Sequence, residues 1–324
     1  MTRTQQLSAA ALASALALPL FAGNYVLSVA TLSLFLGLAG QAWNVMSGFA
    51  GLLSLGHALF LGVGAYAAGA LYVHYHVAPL FGALLAIALC VAYGVGIGAL
   101  AFRFGISGVQ FSLLTIAFAE FTRIGFDHID WIGGPAGLFL KVQQREHSDP
   151  WNLRGPPAMY YYVALLLCVA ALLLCRQLLH SRAGFYFQAI RENEAAARAL
   201  GVPVLRWKLY AVAVSAAITA VAGVFFAFYD NSLFPEQVFS IGRSIEILLG
   251  PVIGGVGTLF GPLIGAAVLT LVGDSSTELL HRFGVDVPGM KQVLYGCVLL
   301  LVVWFLPNGV WPPLARLLGV HRES

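Results

Sequence analysis

Charge is what this chain has least of. Asp, Glu, Lys and Arg make up 10% of its 324 residues, and the first 102 contain a single one, Arg3. No water-facing surface of ordinary polarity can be built from such a segment, which excludes a soluble globular domain there. Lysine is scarcest: Lys141, Lys208 and Lys291 are the three present, and none follows a glycine. That excludes a Gly-x-x-x-x-Gly-Lys-[Ser/Thr] loop and ATP hydrolysis by that route. The four cysteines, Cys90, Cys168, Cys175 and Cys297, fall in apolar runs without metal-ligand spacing or paired loop positions. They are expected to pack, and neither a metal site nor a cofactor is expected.

What the chain has instead is hydrocarbon: 60% of residues are hydrophobic and the mean hydropathy is +0.86. The apolar runs are continuous and about twenty residues long, which suits helices crossing a core roughly 30 Å thick and not the alternating strands of a barrel. The expected fold is all-α, a polytopic transmembrane helix bundle forming a single domain over residues 1–324. About ten spans are expected, near 7–22, 25–45, 55–75, 78–101, 107–126, 159–179, 208–229, 244–260, 262–280 and 290–306. The first apolar run lacks a small-x-small cleavage site, since Leu20 falls where a small residue would be needed, so it is read as a retained span.

Orientation follows from Lys and Arg in short loops. The island at 176–208 carries Arg176, Arg182, Arg191, Arg198, Arg206 and Lys208 against Glu192 and Glu194, which places the loop at 180–207 in the cytoplasm. The loop at 127–158 balances Lys141, Arg145 and Arg154 against Asp127, Asp130, Glu146 and Asp149, and is read as periplasmic. Carrying the parity along ten spans puts Arg3, Arg103, Arg316 and Arg322 inside, with both termini cytoplasmic.

Within the island, Asn193 is a plausible N-cap, Glu194 complements the helix dipole in the first turn, and Ala195, Ala196, Ala197, Arg198 and Ala199 are strong helix formers. Gly201 followed by Pro203 supplies the stop. The outcome is a short, smooth helix that a partner's groove could accept, flanked by Arg182, Phe185 to Phe187 and Trp207; a solvated loop helix without a partner is the alternative.

Glycine is concentrated in three blocks, at 48–66, 94–98 and 250–265. Gly250 and Gly254, then Gly257, Gly261 and Gly265, recur every four residues, as close helix packing requires. Pro251 and Pro262 on either side of Gly257 also fit two broken or re-entrant helices meeting inside the membrane, with N-terminal amides lining a polar path. Polar groups within spans are candidates for the translocation path: Ser54, His57, Gln110, Ser112, Thr115, Glu120, Arg123 and Glu246, with Gly254, Gly255 and Gly257. Against this, Ser and Thr often bond back to their own helix, and Glu120 with Arg123 can neutralise each other.

The motifs Gly48-Phe-Ala-Gly-Leu-Leu-Ser-Leu-Gly-His57, Gly133-Gly-Pro-Ala-Gly-Leu138, Ser181-Arg-Ala-Gly184, Arg191 through Gly201, and Val252-Ile-Gly-Gly-Val-Gly-Thr-Leu-Phe-Gly-Pro262 together resemble the branched-chain amino acid ABC permeases, the LivM-type subunit in particular. The island resembles the EAA-type coupling loop of ABC importer permeases, with Ala196-Ala-Arg-Ala-Leu-Gly201 matching Ala-Ala-x-x-x-Gly and Ala195 standing where the family has Glu. The resemblance implies a non-enzymatic permease subunit in a bacterial inner membrane. Its partners would be a second permease of the LivH type, two cytoplasmic ATP-binding subunits that dock at Glu192, Glu194, Ala195, Ala196, Ala197, Arg198 and Gly201, and a periplasmic binding protein that delivers an aliphatic amino acid. Permeases for urea or short-chain amides are close relatives and an alternative. An ion-coupled secondary transporter would need a buried mid-span acid or base, and a channel would have no use for the alanine-rich helix.

Overall fold

The computed structural model describes residues 3–140, 150–282 and 289–319. Lys141, Arg145, Glu146, Asp149 and Arg322, used above for orientation, lie outside them.

Each apolar segment folds as a helix: α1 (Arg3–Phe21), α2 (Asn24–Trp43), α3 (Ala58–Tyr75), α4 (Pro79–Arg103), α5 (Val109–Asp127), α6 (Pro157–His180), α9 (Val204–Asp230), α11 (Ile241–Gly254), α12 (Gly261–Arg282) and α13 (Met290–Phe305). Between them come α7 (Arg182–Glu192), α8 (Glu194–Ala199) and α10 (Pro235–Val238), and α14 (Trp311–Leu317) follows. Helices satisfy their backbone donors internally, which is what hydrocarbon demands. Five are long and apolar enough to cross a membrane among the described residues: α2 with its extension to Phe49, α3, α4, α6 and α9. Helices occupy the expected segments, but five of them, and not ten, meet that measure among the described residues. The span expected at 244–260 is instead a 14-residue helix ending at Gly254, because Gly255 adopts φ +124° and turns the chain.

The core lies where α9 packs on α3 and α4, with α2 held between α6, α11 and α12. Small residues set these spacings. A Cβ on Gly223 of α9 would lie 2.1 Å from the Leu61 carbonyl oxygen of α3, and one on Gly64 would lie 2.6 Å from that of Ala220. Aromatic stacking fills the rest, with Phe35 against Phe226 and Tyr66 against Phe239 at ring separations of 5.4 and 5.9 Å.

The all-α expectation holds apart from one two-residue pairing, β1 (Leu138–Phe139) antiparallel to β2 (Ser232–Leu233). This end of the bundle, called here the loop end, is fastened by the Tyr66 hydroxyl donating to the Leu233 carbonyl at 2.7 Å, by His74 stacked on Trp131 at 4.7 Å, and by Arg154. That guanidinium is buried between the rings of Tyr72 and Phe228 and donates to the Asn231 side chain. The loop holding it is anchored, not merely solvated.

Candidate functional site

Two features stand apart from ordinary helix packing: a break in the bundle interior and a polar platform at the end opposite the loops. The break begins where α2 widens into a π-helical turn, Asn44–Phe49, a geometry that recurs at functional sites. Residues 50–57 then run without helix before α3 starts at Ala58. Backbone released from a helix inside an apolar bundle needs partners, and side chains provide them. Trp43 Nε1 donates to the Ser54 carbonyl at 2.7 Å, and the Ser47 hydroxyl donates to that of Leu52 at 3.0 Å. The Ser112 hydroxyl donates to the Leu53 carbonyl at 2.9 Å, while Thr115 Oγ1 accepts from the Leu55 N–H at 3.2 Å. Ser244 Oγ accepts from the Ala58 N–H at 3.0 Å.

His57 is the keystone of this break. Its Nδ1 lies 3.2 Å from Ser54 Oγ and its Nε2 2.9 Å from Ser215 Oγ, and the residue is fully buried. Ser215 spends its one proton on the Ala42 carbonyl at 2.6 Å. It must therefore accept from His57, which assigns the ring proton to Nε2 and leaves Nδ1 to accept from Ser54. The neutral imidazole thus ties residues 54–57 to α2 and α9.

The structure brings Ser54, His57, Ser112 and Thr115 together around the break. Gly56 is what lets them meet: a Cβ there would stand 2.1 Å from the Thr115 carbonyl oxygen. Glu246 lies apart on α11, paired with Arg243 at 2.7 Å. Glu120 and Arg123 do pair, at 2.6 Å, and Arg123 also reaches Asp127 at 2.8 Å.

Gly254, Gly255 and Gly257 sit at the turn joining α11 to α12. The close packing expected of this block is present, since a Cβ on Gly254 would lie 1.7 Å from the Gly261 carbonyl oxygen and one on Gly265 1.8 Å from that of Gly250. Gly257, however, lies in the turn at φ +77° and not on a helical face shared with Gly261 and Gly265. Two amides at this turn, one of them at the start of α12, are bonded to side chains. Asn44 Oδ1 accepts from the Gly257 N–H at 2.8 Å while Asn44 Nδ2 donates to the Thr258 carbonyl at 2.9 Å, and Thr258 Oγ1 accepts from the Gly261 N–H at 3.1 Å.

The platform is built from α7 and α8. Ser181 caps α7 by accepting from the Ala183 N–H at 3.2 Å, and Asn193 caps α8 by accepting from the Ala196 N–H at 3.0 Å. Gly201, at φ +86°, ends the turn. Glu194 does more than face the dipole: it pairs with Arg198 at 2.9 Å and with the buried Lys208 at 2.5 Å, pinning α8 to the start of α9. Ala197 and Phe187 turn inward, whereas Glu192, Ala195, Ala196, Arg198 and Gly201 are exposed.

Three parts of this arrangement were not legible as site residues. Of helix α7 only Glu192 was expected at the docking site. Leu200 stands 85% exposed at the tip of α8, an apolar knob beside the alanines. Arg191 reaches from α7 to the break, donating from Nη1 to the Gly48 carbonyl at 2.7 Å, and its side chain fills the space a Cβ on Gly51 or Gly257 would need. One side chain therefore touches the platform, the π-helical turn and the α11–α12 hairpin. A basic residue between two helix formers gives no sequence signal of such a role.

The chain is 30% identical to the high-affinity branched-chain amino acid transport system permease protein LivM of Escherichia coli, over 94% of this chain and 74% of that protein, and equally to LivM of Salmonella typhimurium. An autoinducer 2 import system permease protein, LsrC of Klebsiella pneumoniae, is 33% identical over 44% of the chain and 41% of its own length. No solved structure matches the chain. Residues 25–303, which hold the break, the platform and the hairpin, match the family of branched-chain amino acid transport system permease components, and the chain belongs to that family.

Proposed function

We propose that this chain is one of two permease subunits in an ATP-driven importer of branched-chain amino acids. A periplasmic binding protein delivers the substrate at the loop end, a LivH-type permease completes the membrane core, and two cytoplasmic ATP-binding subunits supply the work. The platform end is cytoplasmic in this reading, because the island's basic excess is retained there, and both termini share that side. The observation that carries the proposal is α8: a capped, doubly salt-bridged helix offering Ala195, Ala196, Ala199 and Leu200 to solvent. A rigid apolar knob held that firmly suits a groove in a moving partner.

Arg191 gives the motion a route inward. Displacing α7 and α8 displaces the Gly48 carbonyl, and with it the break held by Ser54, His57, Ser112 and Thr115 and the hairpin hinge at Gly254, Gly255 and Gly257. Rigid elements with two arrangements are the means by which such work crosses a protein. Reconstitution with ATP-binding and binding-protein partners tests the reading. Labelled leucine accumulates only with ATP if it holds, whereas ATP-independent uptake, or uptake of urea in place of leucine, contradicts it.

A further inference from the structure

Arg243 and Glu246 sit one turn apart near the start of α11, their Nη1 and Oε2 atoms 2.7 Å apart. Neighbours fix their depth. Ser244, between them, bonds the first residue of α3, and Gly254 lies at the hairpin turn that meets Arg191. At 1.5 Å per residue Glu246 stands about 12 Å above that turn, within a hydrocarbon core of about 30 Å. Charges at such a depth are costly against lipid and face protein or water.

The pair is nevertheless partly open, with side chains 21% and 26% exposed, and Ile241 and Ile245 are exposed beside it. Arg243 also lies 5.1 Å over the Phe226 ring, and its enclosed Nε has no acceptor. Nearer the loop end, Arg123, Asp127 and Glu236 line a separate cavity of about 230 Å³.

We propose that Arg243 and Glu246 read the amino acid itself: the α-carboxylate docks on Arg243, the α-ammonium on Glu246, and the aliphatic side chain lies against Ile241 and Ile245. The inference rests on the reading that the cargo is a branched-chain amino acid. A zwitterion exchanges one internal ion pair for two external ones, so no net charge has to be brought into the bundle, and a guanidinium fork suits a carboxylate.

The test uses the assembled complex in proteoliposomes. Replacing an ion pair by apolar residues of similar size is close to neutral for folding, so the double variant Arg243→Met, Glu246→Met should keep its unfolding temperature and still capture the ATP-binding subunits. Its leucine uptake should fall by at least about tenfold, since polar recognition is lost at the step that needs it. Uptake with wild-type rate and KM overturns the proposal. A second variant keeps both charges: Ile245→Cys, with the exposed Cys297 replaced by Ser. Leucine should slow its thiol labelling, whereas isoamylamine, which lacks the carboxylate, and isocaproate, which lacks the ammonium, should not; equal labelling with and without leucine overturns the proposal. A wild-type complex that fails to accumulate leucine would instead refute the transport reading, which keeps the two failures distinct.

Discussion

Gly56 shows how much one missing side chain permits. The break closes only because nothing stands between its Cα and the Thr115 carbonyl. Gly56→Ala forces a shift of backbone against backbone and should cost about 1–3 kcal/mol, the range for overpacked interiors. Gly96→Ala on α4, whose Cβ would meet nothing within 4 Å, should be neutral or gain up to about 1 kcal/mol from helix propensity. Thermal unfolding of both variants in one detergent checks this, and an equal loss from the two would contradict the packing argument. Arg191 works differently, through a hydrogen bond and a position. Arg191→Gln keeps α7 intact but withdraws the donor from the Gly48 carbonyl. Uptake per ATP hydrolysed should fall by about fivefold to a hundredfold, the scale of an orphaned buried group of about 1–3 kcal/mol, while the ATP-binding subunits are still captured. Unchanged coupling would remove Arg191 from the transmission route.

At the scale of elements, the α11–α12 hairpin is held to the π-helical turn by Asn44, which accepts from the Gly257 N–H and donates to the Thr258 carbonyl, 213 and 214 residues away in sequence. Asn44→Ala should leave a turn amide without its acceptor and cost about 1–3 kcal/mol, seen as faster hydrogen exchange at residues 255–260. Protection there equal to wild type would count against it. The helices themselves were legible because continuous apolar runs in lipid leave few alternatives. The break at 50–57 was legible only as the gap between the spans expected at 25–45 and 55–75; that it lies buried was not, because the partners of its backbone come from α2, α5 and α11. The early end of α11 depended on a positive φ at Gly255, which a glycine permits but does not announce. At the platform the cap and stop were readable from Asn193 and Gly201, because those signals are local. The pairing of Glu194 with Lys208 and the reach of Arg191 were not, because both join residues that only folding brings close. Glu246 was found as an isolated polar residue in an apolar run, but its partner Arg243 was not.

For the whole molecule, the proposed function has the bundle worked from one end: the platform would receive the motion, Arg191 would pass it to the break and the hairpin, and Arg243 with Glu246 would hold the substrate. Lys208→Met removes the pin between α8 and α9 while Arg198 still pairs with Glu194, so capture of ATP-binding subunits should weaken without loss of folding. Full capture would show that the pin is dispensable. The most direct measurement is affinity capture of co-expressed ATP-binding subunits by the Ala196→Trp variant, read beside its unfolding temperature. Recovery should fall by at least about tenfold, as for a blocked interface anchor, with stability unchanged because Ala196 is exposed. Undiminished recovery would contradict docking at α8.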